Sequence, residues 1–368
     1  MYLILIINTI KELISLLSNF DYYISIVIKG GCVMYQAWLS RDYQDKVLCE
    51  ACYQRCILDE SEVGVCGVRQ VVDGELKLLV YEKAAALNID PIEKKPLYHF
   101  MPRSQILSLG TVGCNFSCQF CQNSHISQYP KEHNNEVFGE EAKAKDIVEI
   151  AKKRGMDSIA YTYNEPVIFF EYAYEIAKLA NENGLKNIFV TSGYETHKAI
   201  DTIAPYLDAM NIDLKSFDKN FYQEICGAKL KPVLDTIEYT YKQGIWIEIT
   251  TLVIPSHNDS DEELRLIAKY IASISPTIPW HISGFFPNYN MKNTEPTPIA
   301  TLLRAYDIGK EEGLEYVYIG NVHDYTHQST FCPRCGELLI KRDQYDVQIK
   351  AFKGGCCSKC NHQIEGVF

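Results

Sequence analysis

The chain from Gln105 to Ile319 alternates short apolar segments with amphipathic segments of helical length, and this alternation constrains the fold more than any other feature. The apolar segments are rich in β-branched and aromatic residues, as expected of strands that are buried on both faces of a parallel sheet. Repeated strand–helix–strand units with right-handed crossovers build such a sheet. About six units predict an α/β fold, a partial (β/α)6 barrel of the TIM-like kind.

The predicted strands are Gln105 to Leu109, Ser158 to Tyr163, Asn187 to Thr191, Ala209 to Leu214, Trp246 to Ile254, Trp280 to Phe285 and Tyr316 to Ile319. The predicted helices are Glu140 to Lys153, Val167 to Asn183, Thr196 to Ala204, Val233 to Gln243, Asp261 to Ile274 and Pro298 to Glu312. Chemistry in this architecture gathers at the carboxyl ends of the strands, so functional residues are expected there.

Composition shifts divide the chain into parts. Residues 34–98 form a Cys-rich segment whose last stretch runs from Asp90 to Pro96, where two prolines and a charge run predict an ordered but irregular connection. We therefore expect a small Cys-rich N-terminal domain over residues 34–98, a core over 99–322 and a C-terminal module over 330–368.

Residues 1–33 form an apolar N-terminal extension, but Lys11, Glu12 and Asp21 interrupt it. No stretch approaches the roughly 18 apolar residues of a membrane-spanning helix. No basic residue precedes the apolar run, which does not fit a secretory signal. We therefore expect a cytoplasmic protein without a membrane span. Apolar residues at helical spacing predict an amphipathic helix docked on the body: Leu3, Ile7, Ile10, Ile14 and Leu17. The alternative is that Met34 is the native start.

Charge and cysteine content exclude several classes of protein. The chain has 36 basic and 47 acidic residues and a net charge of −11, which disfavours nucleic acid as the main partner. Its 14 cysteines in 368 residues are too sparse for a secreted disulfide scaffold, and they are clustered. Close spacing of this kind indicates metal ligation in a reducing compartment.

Three cysteines follow the first predicted strand with the spacing Cys-x3-Cys-x2-Cys: Cys114, Cys118 and Cys121. Three thiolates can hold three irons of a cubane cluster and leave the fourth iron open to a substrate. The alternative is a closed structural site in which His125 supplies the fourth ligand.

This loop resembles that of the radical S-adenosylmethionine (SAM) superfamily, whose Cys-x3-Cys-x-aromatic-Cys pattern is matched by Cys114, Cys118, Phe120 and Cys121. The resemblance implies a [4Fe–4S] cluster whose open iron binds the amino and carboxylate groups of SAM. It also implies reductive cleavage of SAM to a 5′-deoxyadenosyl radical, which abstracts hydrogen from a substrate that the sequence does not name. A reductant such as flavodoxin or ferredoxin is implied as the electron source.

The second predicted strand ends in Tyr163-Asn164-Glu165-Pro166. By the same resemblance, Glu165 would accept a hydrogen bond from the ammonium group of SAM, with Asn164 beside it. The superfamily usually has Gly-Gly-Glu at this point, so the two residues before Glu165 depart from its pattern. The alternative is that Asn164 or Glu165 only caps the helix that Pro166 opens.

The later strand ends also carry polar residues. By the resemblance, Ser192, Gly193, Asp213 and Lys215 would lie near the ribose, the methionine carboxylate or a bound monovalent cation. His281 would contact cofactor or substrate. Small polar residues at strand ends are also ordinary turn residues, and a lone histidine is often structural, so both alternatives stay open.

The last cysteines form a second pattern. Cys332-x2-Cys335 and Cys357-x2-Cys360 have the spacing of a four-thiolate zinc ribbon. Cys356 is adjacent and could replace Cys357. A tail of this size buries little core, so we expect Zn²⁺ to supply most of its folding free energy.

The first cysteines form a third pattern, Cys49-x2-Cys52-x3-Cys56-x9-Cys66. This set would hold zinc or an auxiliary iron–sulfur cluster, with zinc slightly preferred. The cysteines left as plain thiols are Cys32, Cys226 and Cys356.

Six stretches together resemble the radical SAM proteins of the AmmeMemoRadiSam system, which are related to pyruvate formate-lyase activating enzymes. They are Asp90 to Phe100, Gly113 to Gln128, Ala160 to Pro166, Asn211 to Lys215, Thr251 to Ser260 and Trp280 to Pro287. The resemblance begins near Met34 and includes both outer cysteine groups. It implies association with Memo-like and AMMECR-domain proteins and leaves the substrate open.

Three functions follow from these patterns. The first is a radical SAM enzyme acting on an undetermined substrate, with a protein as one candidate. The second is a glycyl-radical enzyme activating enzyme, suggested by Glu165-Pro166 and by Asp213-Leu214-Lys215. The third, from a different class, is a zinc-ribbon adaptor with an inert barrel. The complete Cys114 triplet and the acidic balance favour an enzyme over an adaptor.

Overall fold

A computed structural model of the chain describes residues 27–29 and 32–368, with side chains described from residue 34 onward. The predicted amphipathic helix over residues 3–17 and the thiol of Cys32 lie outside the described residues.

Small antiparallel sheets make up the N-terminal module. Its strands are β1 (Val27–Lys29), β2 (Cys32–Gln36), β3 (Ser40–Tyr43), β4 (Lys46–Cys49), β5 (Ile57–Leu58), β6 (Arg69–Val72), β7 (Glu75–Leu78) and β8 (Lys83–Ala84). One sheet has the order β1-β2-β7-β6 and another the order β3-β4-β5. Buried residues such as Val68, Leu76 and Val80 belong to the same apolar core as the rest of the chain, so the module is packed on the main body.

The main body is an eight-stranded sheet. Its strands are β9 (Ala86–Pro91), β10 (Gln105–Gly110), β12 (Ser158–Tyr161), β13 (Lys186–Thr191), β14 (Ala209–Asp213), β15 (Trp246–Val253), β16 (Trp280–Gly284) and β17 (Val317–Gly320), while the short β11 (Glu140–Glu141) pairs with β8 instead. The strand order is β17-β16-β15-β14-β13-β12-β10-β9. All strands of this sheet except β9 are parallel, which confirms the seven predicted strands and the α/β class.

The edge strand β9 was not predicted. It runs antiparallel to β10, with Pro91 opposite Gln105 and Ala86 opposite Gly110. Proline is tolerated in an edge strand because the backbone N–H that it lacks would point away from the sheet and not toward a partner strand. The expected irregular connection at residues 90–96 is therefore partly wrong, since it begins as a strand and continues as a 3-10 helix, Ile92–Lys94.

Helices connect the parallel strands. They are α1 (Ser124–Ser127), α2 (Tyr129–Glu132), α3 (Ala144–Lys153), α4 (Phe170–Glu182), α5 (His197–Ile203), α6 (Leu230–Lys242), α7 (Asp261–Ile274), α8 (Ile299–Glu311) and α9 (Tyr325–Gln328). A 3-10 helix, Pro166–Phe169, precedes α4, and a π-helix, Phe221–Cys226, precedes α6. All six predicted helices are present, but the first begins at Ala144 rather than Glu140, since Glu140 and Glu141 form β11, and the second begins with the 3-10 helix. Side chains cap two of them as local sequence favours, since Thr196 accepts from the Ala199 amide and Ser260 from the Glu263 amide.

The strand–helix units place the carboxyl ends of all the parallel strands at the same end of the sheet. Strands β17 and β9 are its two edges in the described part of the chain. Closure into a (β/α)6 barrel stays a prediction. Across the described residues, no helix combines the length and hydrophobicity that crossing a membrane requires.

The C-terminal module docks on the core. Its strands are β18 (Thr330–Phe331), β19 (Leu338–Asp343), β20 (Asp346–Ile349), β21 (Phe352–Lys353) and β22 (Cys356–Cys357). Arg342 is fully buried and donates at 2.7 Å to the carbonyl oxygen of Tyr98 and at 2.7 Å to Thr330 Oγ1. The module is therefore attached to the segment between β9 and β10.

His99 links the C-terminal tail to the core. Its Nδ1 lies 2.8 Å from the carbonyl oxygen of Glu365, and its Nε2 lies 2.7 Å from the Tyr318 hydroxyl. Because a carbonyl only accepts, Nδ1 carries the hydrogen and Nε2 accepts from Tyr318. Burial lowers the pKa of His99 to about 4 from its ordinary value of 6.5.

This lowered pKa predicts acid sensitivity. As pH falls from neutral toward about 4, the unfolded chain gains a proton at this histidine before the folded chain does, so the free energy of unfolding should fall. We expect His99 to account for about 2 kcal/mol of stability lost between pH 7 and pH 5. Urea denaturation of H99Q at both pH values, with metal content checked, should show that much less pH dependence than the wild type. The exposed His257→Gln is the matched control, and an unchanged pH dependence in H99Q would contradict the assignment.

Candidate functional site

A cavity of about 560 Å³ lies at the carboxyl ends of the parallel strands. Successive strands or the loops after them contribute to its wall, as expected for this architecture. Residues that represent different strand ends are Cys114, Asn164, Ser192, Asp213, Ser283 and Asn321. Most of the site residues predicted from the sequence are thus brought together.

The three thiols of the Cys114 loop line this cavity. Cys114 and Cys118 are buried and Cys121 is half-buried. In the described part of the chain, Cys332, Cys335, Cys357 and Cys360 are the one group of three or more potential ligands whose atoms all lie within 4.8 Å of one another. The sulfurs of the Cys114 loop are therefore too far apart to share one small ion, and they suit three different irons of a cluster.

Backbone contacts hold this loop in place. The amide of Gly113 donates to the carbonyl of Ile126 at 2.9 Å, and that of Ser117 donates to the carbonyl of Cys226 at 2.8 Å. Gly113 has φ = 92°, and a Cβ there would lie 2.6 Å from the carbonyl oxygen of Cys66. Only glycine fits, so the loop is pressed against the N-terminal module.

Burial, and at Cys118 also a hydrogen bond, favours the protonated form of the three thiols of this loop. Burial raises the pKa of Cys114 and Cys121. For Cys118, the hydrogen bond with the Cys226 thiol is the largest cause of a raised pKa, followed by burial. Metal binding must therefore release protons here. Sequence reasoning left Cys226 as a plain thiol, and only the π-helix that carries it shows that it packs against Cys118.

The alternative fourth ligand does not belong to the site. His125 is exposed and does not line the cavity. The triplet therefore faces open space at the strand ends.

Asn164 lines the cavity and has one acceptor atom without a partner among the described residues. Its Nδ2 donates to the carbonyl of Gly113 at 2.8 Å and to Thr111 Oγ1 at 3.2 Å. Its Oδ1 is buried and has no hydrogen-bond partner among the described residues. The preceding Tyr163 has φ = 71°, a left-handed conformation that glycine adopts more easily. This residue thus keeps a backbone conformation suited to glycine although the side chain differs from the superfamily pattern.

Glu165 lies behind the residues that line the cavity and is not itself a lining residue. Its Oε1 accepts from Thr191 Oγ1 at 2.8 Å and from the Val167 amide at 3.3 Å, and its Oε2 accepts from the Ser192 amide at 2.9 Å. It is fully buried and does not line the cavity. The predicted contact with an ammonium group would require one of these bonds to be exchanged. In this structure Glu165 positions the end of β13 and also caps the 3-10 helix, the alternative given above.

A second carboxyl group lies beside Glu165. Thr191 Oγ1 is 2.6 Å from Glu195 Oε1 as well as bonded to Glu165. A single hydroxyl proton cannot serve both acceptors, so one carboxyl group must hold a proton. Burial, followed by the charge of Glu165, raises the pKa of Glu195 to about 8. Sequence reasoning missed Glu195.

Gly193 shapes the same strand end. It has φ = 69°, and a Cβ there would lie 2.7 Å from Cγ2 of Ile212. It does not line the cavity, so its role in the structure is to allow this turn.

Asp213 and Lys215 form an ion pair on the cavity wall. Lys215 Nζ lies 2.7 Å from Asp213 Oδ2 and 5.8 Å from the centre of the Phe120 ring. Burial acts to lower the pKa of Lys215, but Asp213 and the thiols of Cys118 and Cys226 outweigh it, and the pKa is raised. The ammonium group therefore stays charged beside the thiols, and Phe120 lines the same cavity.

His281 lines a second cavity, of about 400 Å³, that shares Thr250, Ser283 and Asn321 with the first. Its Nε2 lies 2.6 Å from Glu248 Oε2. His281 is therefore placed away from the thiols, on the side where the C-terminal module closes the site.

Glu248 is a buried residue that the sequence reasoning missed. It accepts hydrogen bonds from the amides of Tyr98 and His99 at 2.9 and 2.8 Å and from Trp246 Nε1 at 3.1 Å. Burial opposes ionisation, but hydrogen bonding from His281 prevails and lowers the pKa of Glu248. Its signal was a single charged residue inside an otherwise uncharged strand.

The outer cysteines form two unlike sets. Cys332 and Cys360 sulfurs are 3.6 Å apart, and those of Cys335 and Cys357 are 3.7 Å apart. This group could hold a metal ion, and Cys357 rather than Cys356 belongs to it. The thiols at residues 49, 52, 56 and 66 line one small cavity without such close approach.

Comparison with known proteins fits this geometry. The sequence profile of the radical SAM superfamily matches residues 108–267, a range that includes the three cysteines. An uncharacterized protein of Methanocaldococcus jannaschii is 42% identical over 306 residues, which cover 83% of this chain and 90% of that protein. A second protein of that organism, provisionally named a glycyl-radical enzyme activating enzyme, is 29% identical over 58% of this chain and 79% of its own length. A solved radical SAM methyltransferase from Sphaerobacter thermophilus is 15% identical, with a TM-score of 0.48 over 60% of this chain and 67% of that one.

Proposed function

The chain belongs to the radical SAM superfamily, and we propose that it cleaves SAM reductively at a [4Fe–4S] cluster held by Cys114, Cys118 and Cys121. The observation that carries this proposal is the set of three separated thiols that open on a cavity of about 560 Å³. When bound, the cluster supplies an electron at low potential and one open iron for the cofactor.

Residues of the chain would orient the cofactor. Asn164 lines the cavity, and its buried Oδ1 has a free acceptor position that would bind an ammonium group if the side chain turned toward the cavity, the role first expected of Glu165. The Asp213–Lys215 pair offers one charge of each sign on the same wall. Apolar groups such as Phe116, Phe120 and Leu252 line the cavity as well and would keep water from a reactive radical.

The second cavity supplies room for a substrate. It adjoins the first and presents His281, fixed by Glu248. The Oε2 atom of Glu93 is buried without a hydrogen-bond partner among the described residues, and Glu93 lines this cavity.

The C-terminal thiols are suited to zinc. Zinc binds thiolate sulfur at about 2.3 Å, so tetrahedral ligands lie about 3.8 Å apart. The observed separations of 3.6 and 3.7 Å match this geometry without adjustment. We propose a structural zinc ion there.

Partners follow from resemblance alone. Flavodoxin or ferredoxin as reductant, Memo-like and AMMECR-domain proteins as associates, and membership of the AmmeMemoRadiSam system stay predictions, as does a cytoplasmic location.

The direct test is SAM cleavage. Anaerobically reconstituted protein, reduced with dithionite and given SAM, should release 5′-deoxyadenosine and methionine. The Cys114→Ala, Cys118→Ala, Cys121→Ala triple variant should release neither, because it has no ligands for the cluster. The Cys356→Ala variant is the matched control, since Cys356 lies outside each of the three ligand sets. Equal product from the triple variant would refute the proposal.

A second candidate, activation of a glycyl-radical enzyme, is favoured by the name given to one relative. It would use the same cavity but a glycine main chain as hydrogen donor. A stable protein radical in a glycyl-radical partner after incubation with the active enzyme would support it. Cleavage of SAM without any radical transfer to such partners would leave the general proposal standing and exclude this one.

A further inference from the structure

Four thiols of the N-terminal module converge on one cavity. Cys49 ends β4, Cys52 and Cys56 lie in the loop before β5, and Cys66 lies in the turn before β6. Cys49, Cys52 and Cys66 are buried and Cys56 is partly exposed. Cys52 also pairs with Glu195 in an isolated bridge, which ties its loop to the end of β13. The four thiols are therefore held in place by a strand end and by short loops that are anchored to strands on both sides.

The spacing of these sulfurs argues against a single zinc ion. A tetrahedral zinc site requires its sulfurs to lie about 3.8 Å apart, as the C-terminal pairs at 3.6 and 3.7 Å do. No three of the four N-terminal sulfurs lie within 4.8 Å of one another. The Cys114 loop shows the same wide arrangement. In a cubane cluster each thiolate binds a different iron, and the thiolates lie further apart for that reason.

A second observation points to a bound group. Asn115 is 1% exposed and lines the cavity, its Nδ2 has no oxygen or nitrogen acceptor within the described residues, and its side chain interacts with the thiol of Cys52. A buried donor left unpaired costs stability, and cluster sulfurs accept hydrogen bonds from such donors. Arg69 also lines the cavity and is 2% exposed, with its guanidinium paired to the Glu171 carboxylate.

We propose that Cys49, Cys52, Cys56 and Cys66 hold a second [4Fe–4S] cluster, complete in protein ligands and separate from the cluster of the Cys114 loop. With four cysteines for four irons, it has no open coordination position for SAM.

Asn115 contacts both the Cys114 loop and the N-terminal group of four cysteines. Asn115 follows Cys114 directly, and its Oδ1 lies 3.8 Å from the Cys114 sulfur. Its carbonyl oxygen accepts from Gln54 Nε2 at 2.8 Å, in the loop between Cys52 and Cys56. A cluster in the N-terminal cavity would therefore sit directly behind the Cys114 loop.

Metal and sulfide analysis of the full chain tests the proposal without any activity assay. Anaerobically reconstituted wild type should contain about eight irons, about eight sulfides and about one zinc per chain. About four irons with about two zincs would overturn the proposal in favour of zinc. This measurement needs no variant and so does not depend on how any variant folds.

Variants then assign the iron. The Cys114→Ala, Cys118→Ala, Cys121→Ala chain should keep about four irons, and its reduced electron paramagnetic resonance signal should not change when SAM is added. The Cys52→Ala, Cys66→Ala chain should keep the other four irons and a signal that SAM does change. Loss of all iron in the triple variant, with zinc retained, would overturn the second cluster. If the wild type holds about four irons and one zinc, and the triple variant keeps those four irons, the proposed function fails and the second cluster stands, so the two failures are distinguishable.

Discussion

Replacing Cys332 and Cys335 by serine should remove one zinc ion from each chain and unfold the C-terminal module. The core of that module is small, with Leu339, Ile340 and Ile364 among its few buried apolar residues. Structural zinc contributes about 10 to 16 kcal/mol of apparent binding free energy, which is more than such a core supplies. We expect limited proteolysis to cut the variant after the last strand of the main sheet, and we expect zinc analysis to show the loss of one ion.

Unfolding of the C-terminal module should also disrupt the second cavity. Gln344 and Tyr345, from the turn between β19 and β20, line that cavity, and Arg342 anchors the module at Tyr98. An unfolded module would remove this wall while the Cys114 loop keeps its iron. Cys356→Ser is the matched control, because its sulfur lies outside the zinc set. Intact zinc content and protease resistance in the double variant would contradict the assignment.

Much of the fold was predictable because the parallel strands are nearly continuous apolar runs. Each of the strands from β10 to β17 in the main sheet was predicted within one or two residues. Strand β9 was not predicted because it is an edge strand with three consecutive exposed residues, Leu87 to Ile89, and its sequence contains Asp90 and Pro91. Patterns of hydrophobicity identify buried strands more readily than edge strands.

The site was predictable in its residues but not in their orientation. The motif indicated Glu165, yet hydrogen bonds from Thr191 and Ser192 use that carboxylate, and the neighbouring Asn164 lines the cavity instead. Neighbours along the chain point to different sides, and only tertiary contacts decide which one faces the cavity.

Cysteine spacing along the sequence has the same limit. It could not choose between Cys356 and Cys357, because the choice depends on the β21–β22 hairpin. Nor could it distinguish zinc from a cluster at Cys49 to Cys66, because the separation of sulfurs in space decides that question.

Arg69→Met should destabilise the protein by about 3 to 5 kcal/mol. The guanidinium and the Glu171 carboxylate are 2.6 Å apart, and their side chains are 2% and 0% exposed. Arg69 also donates to the carbonyl of Ile168 at 2.9 Å, while Glu171 accepts from the amide of Leu39 at 3.3 Å. Removing only the arginine leaves a buried carboxylate with little compensation, which costs far more than the loss of an exposed ion pair.

The double variant R69M/E171M distinguishes the stability contributed by the ion pair from the cost of leaving one charge buried without a partner. If the cost comes from the uncompensated charge, replacing both groups by apolar side chains should recover most of the stability. Denaturant unfolding at matched metal content measures the free energies, and Lys153→Met, which removes the exposed pair with Glu149, should change stability by less than about 0.5 kcal/mol. Since Arg69 belongs to the N-terminal module and Glu171 to α4, R69M alone should also expose the module to protease. A double variant no more stable than R69M would show that the hydrogen bonds to Ile168 and Leu39, rather than the ion pair, hold the module on the core.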